Sequence, residues 1–533
     1  MIASLVQSLS NVGPRREDGG WARVATHSHM LRSHAVDFDQ AKRNLVDWAR
    51  VRGIAAVGVG SPWDPISARR YLQCETEDRD AYFGGRIPLE TVMDREPIKA
   101  LVRDLNRMGG SHTLFFLDNE TPKNRHGHLW YVGFDYQVPA WHDYSQDRRV
   151  QFWDGDPRED PNALTGGCHR RRTYAEVVAR QRQAGALAIW AHPTSWWTHQ
   201  DAFITNIAAE LVPHLHADGF LDGMVVQGYD AFHRAYQALW FDLLDRGAQV
   251  PGYAELDACF DQTPIAAAGT FLNYVPTPAP VPDLDTMIPT LRAARHYVSS
   301  GPHLVLEVDG QPMGSRLPGG AGARHRAIVT AWPAPGETCL SRIELIGRGG
   351  ATLARVDGFT GGTLEFDVHG DDAGGWLLAR AVGEHDDPDR QRQQQIRHCA
   401  LTNPVFFDAP RSCRHDAVTV DLTVEPASDG AARGASWTLV TAAGDPLAQG
   451  VFDAFPLKLQ THPFFRLLVR YPDGRRRDIP LAMANAPLRA HIDHLADGHF
   501  RTDNPALEHG DVPVGAFRFD AVRAALATQT LLV

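Results

Sequence analysis

The stretch Thr26-His27-Ser28-His29 follows directly on the run Trp21-Ala22-Arg23-Val24-Ala25. Side chains alternate along a strand, so a strand that continues through this stretch turns His27 and His29 to the same side. Two imidazoles on one side, at the end of a buried strand, are able to share one metal ion. With 25 histidines in 533 residues, a His-x-His pair says little on its own. Its weight comes from the ligand-type residues that end other apolar runs further along.

Working outward, Asp37 to Arg52 carries Ala41, Leu45, Trp48 and Ala49 at helical spacing, and Gly53 stops it. Ile54 to Val59 reads as a buried strand and Ser61-Pro62-Trp63-Asp64-Pro65 as the loop after it. Strand, helix, strand in this order is a βαβ unit with a right-handed crossover. The pattern recurs. Pro97 to Met108 is a helix ended by Gly109-Gly110, and His112 to Leu117 is a strand followed by Asp118-Asn119-Glu120. His126-Gly127-His128 leads into Leu129 to Gly133, and Ala186 to Trp190 runs into Ala191-His192-Pro193. Leu221 to Val226 ends in Gln227, Ala231 to Arg246 is a helix closed by Gly247, and Gln249 to Tyr253 leads to Glu255-Leu256-Asp257-Ala258-Cys259.

Roughly seven strand-plus-helix units therefore fill residues 20 to about 270, which predicts a parallel barrel of the α/β class. Chemistry in such barrels lies at the C-terminal strand ends, where His27, His29, Glu120, His192 and Asp257 fall, with His128 at the mouth of its own strand. Imidazole and carboxylate are the ligand set for Zn, Mn or Fe.

After Gly301-Pro302 the pattern changes to short alternating runs separated by Gly and Asp turns, such as Leu304 to Val308, Ala327 to Trp332 and Leu364 to Val368. These predict antiparallel β-sandwich modules. The expected domains are a barrel at 20–302, an Ig-like β-sandwich at 303–410 and a second β-rich domain at 411–533.

The ordered motifs resemble the PHP (polymerase and histidinol phosphatase) superfamily, and within it the CehA/McbA-like metallohydrolases. Thr26-His27-Ser28-His29 is similar to that family's first motif. Asn119-Glu120 with Gly127-His128-Leu129, then Ala191-His192-Pro193, then Leu256-Asp257-Ala258-Cys259, are similar to its later ones. Ala293 to Pro302 resembles a conserved-type segment of the branch, and Leu401-Thr402-Asn403-Pro404 resembles the end of its Ig-like domain. The resemblance implies a distorted (β/α)7 PHP-type barrel and up to three divalent metals. It implies a metal-bound hydroxide that cleaves an ester, carbamate or phosphoester of a small molecule. Carried over residue by residue, it makes His27, His29, Glu120, His128, His192 and Asp257 metal ligands.

Three departures bear on the metal count. The family's Thr-Asp-His at the second strand end is replaced by Gly60-Ser61-Pro62-Trp63, with Asp64 the nearest substitute. The acidic residue after the first motif is not plain, His34 and Asp37 both being candidates, and Cys259 stands where the last histidine is expected. Cysteine binds Zn as thiolate, and it also serves as a small buried hydrophobe. One or two ions are expected, with three as the upper limit. General acids for the leaving group would come from His126, His169 or His199. Trp63, Trp196 and Trp197, with Gln227 and Tyr229, are the candidates for a substrate wall. The competing expectation is an impaired PHP-like barrel that binds a carbohydrate or aromatic ligand through these tryptophans.

Bulk properties narrow the partners. A net charge of −11 gives no basic surplus for a phosphate backbone, so no nucleic acid partner is expected. No run approaches the about 18 apolar residues of a membrane span, so no membrane partner is expected either. Six cysteines without CxxC pairs fit a reducing compartment. With no basic segment ahead of an apolar core near Met1, a cytoplasmic location is expected.

Overall fold

The structure is a computed structural model and describes residues 20–29, 38–60, 95–120, 129–133, 185–191, 221–228, 233–245, 247–260, 271–319, 322–386, 397–408, 420–426, 432–441, 446–461, 465–480 and 528–532. In the first part of the chain the strands are β1 (Trp21–Ala25), β2 (Ser28–His29), β3 (Ala56–Val59), β4 (Leu114–Glu120), β5 (Leu129–Val132) and β6 (Leu187–Trp190). They continue with β7 (Gly223–Gln227), β8 (Gly252–Ala254), β9 (Ala258–Cys259), β10 (Leu272–Pro276) and β11 (Tyr297–Ser299). Helices are α1 (Phe38–Val51), α2 (Arg95–Gly109), α3 (His233–Asp245) and α4 (Leu284–Arg292).

The local reading of these elements follows from their sequences. Strands β3, β6 and β7 are buried along their whole length, as continuous apolar runs covered on both faces must be. Helix α1 buries Ala41, Leu45, Trp48 and Ala49 on one face, and Trp48 packs edge-on against Phe260 at 5.1 Å. It ends at Gly53, whose φ of 61° closes the last turn while the Ile54 N–H donates to Ala49 O at 2.8 Å. Helix α2 ends at Gly110 in the same conformation. Its Asn106 side chain then holds β4 from both sides: Nδ2 donates to Phe115 O and Oδ1 accepts from Phe115 N, each at 2.8 Å.

The assembly of these elements is not the (β/α)7 barrel expected from the sequence. The described residues are dominated by strands and hold four helices longer than a turn. Strands β1, β3 and β4 are parallel, joined by α1 and α2. Strand β5 then runs antiparallel to both β4 and β6. Eight residues separate β4 from β5, too few for the crossover of a dozen or more that a parallel pair requires, in keeping with the antiparallel pairing. Strands β6, β7 and β8 are parallel again, whereas β10 returns antiparallel to β1 and β11 antiparallel to β10. Among the described residues no backbone ladder joins β8 to β1. Instead the Asn273 amide of β10 stands in for a strand neighbour: Oδ1 accepts from Ala254 N at 2.9 Å and Nδ2 donates to Ala254 O at 3.0 Å.

Among the described residues the sheet stays open, and it continues into the second half of the chain. There the strands are β12 (His303–Val308), β13 (Gln311–Pro312), β14 (Arg316–Leu317), β15 (Arg324–Trp332), β16 (Leu340–Gly347) and β17 (Ala351–Phe359). They continue with β18 (Gly362–His369), β19 (Trp376–Asp386), β20 (Arg397–Thr402) and β21 (Val405–Phe407). Strand β11 pairs with β20 in the register Tyr297↔Thr402, Val298↔Leu401 and Ser299↔Ala400. Strands β1 to β11 other than β2 and β9 thus belong to one 15-stranded sheet with β14, β16, β17, β19, β20 and β21. A four-stranded sheet β13-β12-β15-β18 packs beside it. One apolar cluster runs from Leu45 and Trp48 through Tyr274 and Tyr297 to Leu304, Leu345 and Ala381. Strand β15 alternates strictly, with His325, Ala327, Val329 and Ala331 buried.

The last strands are β22 (Val420–Glu425), β23 (Ser436–Thr441), β24 (Pro446–Val451), β25 (Leu457–Thr461), β26 (Phe465–Arg470), β27 (Arg476–Pro480) and β28 (Thr528–Leu532). They form sheets β25-β22-β28 and β24-β23-β26-β27. No helix among the described residues is long and apolar enough to cross a membrane.

Candidate functional site

His27 lies on the bend that follows β1, and Asp257 on the bend that follows β8. Both hold positive φ values, 63° and 45°, which non-glycine residues seldom adopt. The two bends lie side by side. Leu256 N donates to Thr26 O at 3.1 Å, the Thr26 hydroxyl donates to Ala254 O at 3.0 Å, and Asn273 Nδ2 donates to Thr26 Oγ1 at 3.1 Å. Beyond the bends, β2 and β9 run parallel in the register Ser28↔Ala258 and His29↔Cys259. The two ends of the expected metal set are therefore neighbours in the backbone, although 230 positions apart in the chain.

His27 is 2% exposed and is surrounded by carboxylates. Its Nδ1 lies 2.9 Å from Glu255 Oε2, a bond in which the ring N–H donates. Its Nε2 lies 3.6 Å from Asp257 Oδ1, too long for a direct hydrogen bond. Its backbone N–H donates to Asp118 Oδ2 at 2.9 Å. Trp130 of β5 covers the ring in a stacked arrangement, with centroids 5.2 Å apart and planes 26° apart. Glu255 is fully buried, Asp118 is 1% exposed and Asp257 9% exposed.

Two glycines make room for these carboxylates. A methyl group at Gly58 of β3 would stand 2.1 Å from Asp118 Oδ2, and one at Gly228 would stand 2.8 Å from Glu255 Oε1. Gln227, just before Gly228, is itself buried. Its carbonyl accepts from Glu255 N at 3.0 Å, and its amide Nε2 donates to Cys399 O of β20 at 2.9 Å. This candidate for substrate contact is thus tied into the sheet and reaches the site through Glu255.

Of the residues expected from the sequence, His27 and Asp257 come together in full detail, and His29, Cys259 and Glu120 are placed by their backbone, Glu120 opposite Trp130 in the β4–β5 ladder. His128, His192, Asp64, Asp37, His34, Trp63, Trp196, Trp197, Tyr229, His126, His169 and His199 lie outside the described residues. Among the described residues no three His, Cys, Asp or Glu side chains converge on one point as a metal cage. Two residues of the site, Asp118 and Glu255, were passed over in the sequence. The signal for each is an acid set directly after an apolar run at a strand end, Phe115-Phe116-Leu117-Asp118 and Tyr253-Ala254-Glu255. A charge buried in such a place has to be engaged.

The His27 imidazole and the Asp257 carboxylate are two donors of the type that hold a divalent ion, and they face each other across 3.6 Å. A carboxylate on the Nδ1 side of an imidazole fixes the ring and leaves Nε2 as the ligating nitrogen, the usual support of a metal-bound histidine. His27 with Glu255 has this arrangement, and Asp257 stands on the Nε2 side.

No family model matches the chain, and no curated protein matches it. Among solved structures it is similar to the major pilin subunit BcpA of Bacillus cereus, at 12% identity and a TM-score of 0.13, over 34% of this chain and 67% of that one. A single-substitution variant of the same pilin is similar at 11% identity and a TM-score of 0.12, with the same coverage.

Proposed function

We propose that this protein is a metal-dependent hydrolase acting on an ester, carbamate or phosphoester of a small molecule, with site residues similar to those of the CehA/McbA-like branch of the PHP superfamily. The supporting observation is the setting of His27: a buried imidazole oriented by Glu255, with Asp257 across from its Nε2, on two strained bends at neighbouring strand ends. Backbone strain of this kind collects at functional sites, where it positions side chains. His27 and Asp257 would hold the ion, and the order of motifs adds His29, Glu120, His128 and His192, with Cys259 in place of a histidine.

A divalent ion, when bound, supplies Lewis acidity and a nucleophile at neutral pH. The chain's own residues supply position. Glu255 holds the His27 ring, Asp118 holds its backbone at positive φ, and Trp130 covers the ring face and keeps water from it.

The test is elemental analysis of the purified wild type beside a His27→Ala, Asp257→Asn double variant, with a screen of aryl ester, aryl carbamate and aryl phosphate substrates in added Zn or Mn. At least one ion per chain, lost in the double variant together with turnover of one substrate class, is the expected result. A folded wild type that takes up no metal and turns over none of the three classes would overturn the proposal.

A further inference from the structure

We propose that Glu255 is the positioning residue of the site: its carboxylate takes the hydrogen bond from His27 Nδ1, locks the ring in the Nδ1–H form and presents Nε2 toward Asp257 as the ligating nitrogen. The inference rests on the metal-site reading above and goes further by assigning how the histidine is prepared before any ion arrives.

Three observations carry it. The Nδ1–Oε2 distance of 2.9 Å is that of a full hydrogen bond, while Nε2 is 3.6 Å from Asp257, so the two ring nitrogens have different tasks. Glu255 is anchored at its own backbone, since its N–H donates to Gln227 O at 3.0 Å. The space it fills exists because residue 228 is glycine, a β-carbon there being 2.8 Å from Oε1. Burial of an acid this deep costs several kcal/mol unless it is engaged, and the hydrogen bond to His27 engages it.

The arrangement has a chemical consequence. A neutral imidazole carries one proton, and the tautomer decides which nitrogen offers its lone pair. With the proton held on Nδ1 by Glu255, the lone pair is on Nε2, on the side of Asp257. Without the carboxylate the ring is free to take the other tautomer or to turn about its side-chain bonds, and an ion then has to be bound at the added cost of fixing both. Loss of an outer partner of this kind lowers metal affinity by about 10- to 100-fold.

The experiment compares wild type with Glu255→Gln and Glu255→Ala. A glutamine oxygen still accepts from Nδ1–H, whereas alanine cannot. Two quantities are read on the metal-stripped full chain: Zn and Mn affinity by competition with a chromophoric chelator, and the His27 tautomer from ring nitrogen shifts in histidine-labelled protein. The His27 signal is assigned by its loss in His27→Ala, and thermal melts check that each variant is folded. Expected are an Nδ1–H ring in the wild type, affinity lowered about 10- to 100-fold in Glu255→Ala with a shift toward the Nε2–H form, and a loss below about tenfold in Glu255→Gln. Wild-type metal binding that Glu255→Ala leaves within about twofold, with the tautomer unchanged, would overturn the role of Glu255 while leaving the metal site standing. A folded wild type that binds neither ion would sink the hydrolase reading and this inference with it.

Discussion

Acid should destabilise this fold through His296, and the size of the effect follows from its surroundings. The ring is wholly buried, its Nε2–H donates to Gly252 O at 2.9 Å, and it packs against Tyr253 with centroids 4.7 Å apart. Asn403, which closes the same corner, donates to His296 O at 2.9 Å. Burial pushes the His296 pKa down from 6.5 to about 3, because the charged ring would lose its water. Between those two values the unfolded chain carries a proton at this position and the folded chain does not. Stability therefore rises with pH across that window; it is fully present above 6.5 and is lost as the pH falls toward 3. At about 1.4 kcal/mol per unit, moving from neutral pH to about pH 4.5 costs about 2.7 kcal/mol from this one residue. His296→Gln keeps a donor for Gly252 O and cannot titrate. Urea unfolding of both proteins at the two pH values isolates the effect, since all other acid-sensitive groups are common to both. The wild type should lose about 2.7 kcal/mol more than the variant. Parallel losses, within about 0.5 kcal/mol, would refute the argument that a neutral, desolvated His296 links stability to pH.

Two further outcomes follow from the packing around the site. Gly58→Ala puts a methyl group 2.1 Å from Asp118 Oδ2 and drives that carboxylate off the His27 N–H, so urea unfolding should show a loss of about 3 kcal/mol from overpacking and a broken charged hydrogen bond. Asn273→Ala leaves Ala254 N without its side-chain acceptor and removes one donor to Ala254 O, and should cost about 3 kcal/mol, with faster hydrogen exchange at the Ala254 amide as the local readout. An unchanged exchange rate there would mean that Asn273 does not bridge β8 and β10.

Much of the local structure was legible in the residues. The helical spacing of Ala41, Leu45, Trp48 and Ala49 buried one face of α1, and Gly53 ended it at positive φ. The apolar runs of β3, β6 and β7 became wholly buried strands, and the alternating runs after Pro302 became paired β-strands. The error lay in converting strand–helix alternation into a closed barrel. The short gap from Glu120 to Leu129 already spoke against a parallel step there, because direction depends on connection length as much as on the runs themselves. Nothing local says that β11 pairs with β20, a register fixed by which edges meet once the cores have formed.

The site divides in the same way. The sequence by itself determined that an imidazole would stand at the end of a buried strand and an acid at the end of another, since apolar periodicity and its interruption are properties of neighbours in the chain. Only the tertiary structure decided that Asp118, 91 positions away, would hold the backbone of His27, and that Glu255, 228 positions away, would hold its ring. It also decided that Gly58 and Gly228 are the residues whose missing side chains admit these carboxylates. Such pairings depend on the close packing of strands that the chain brings together from a distance, where a single methyl group changes what fits.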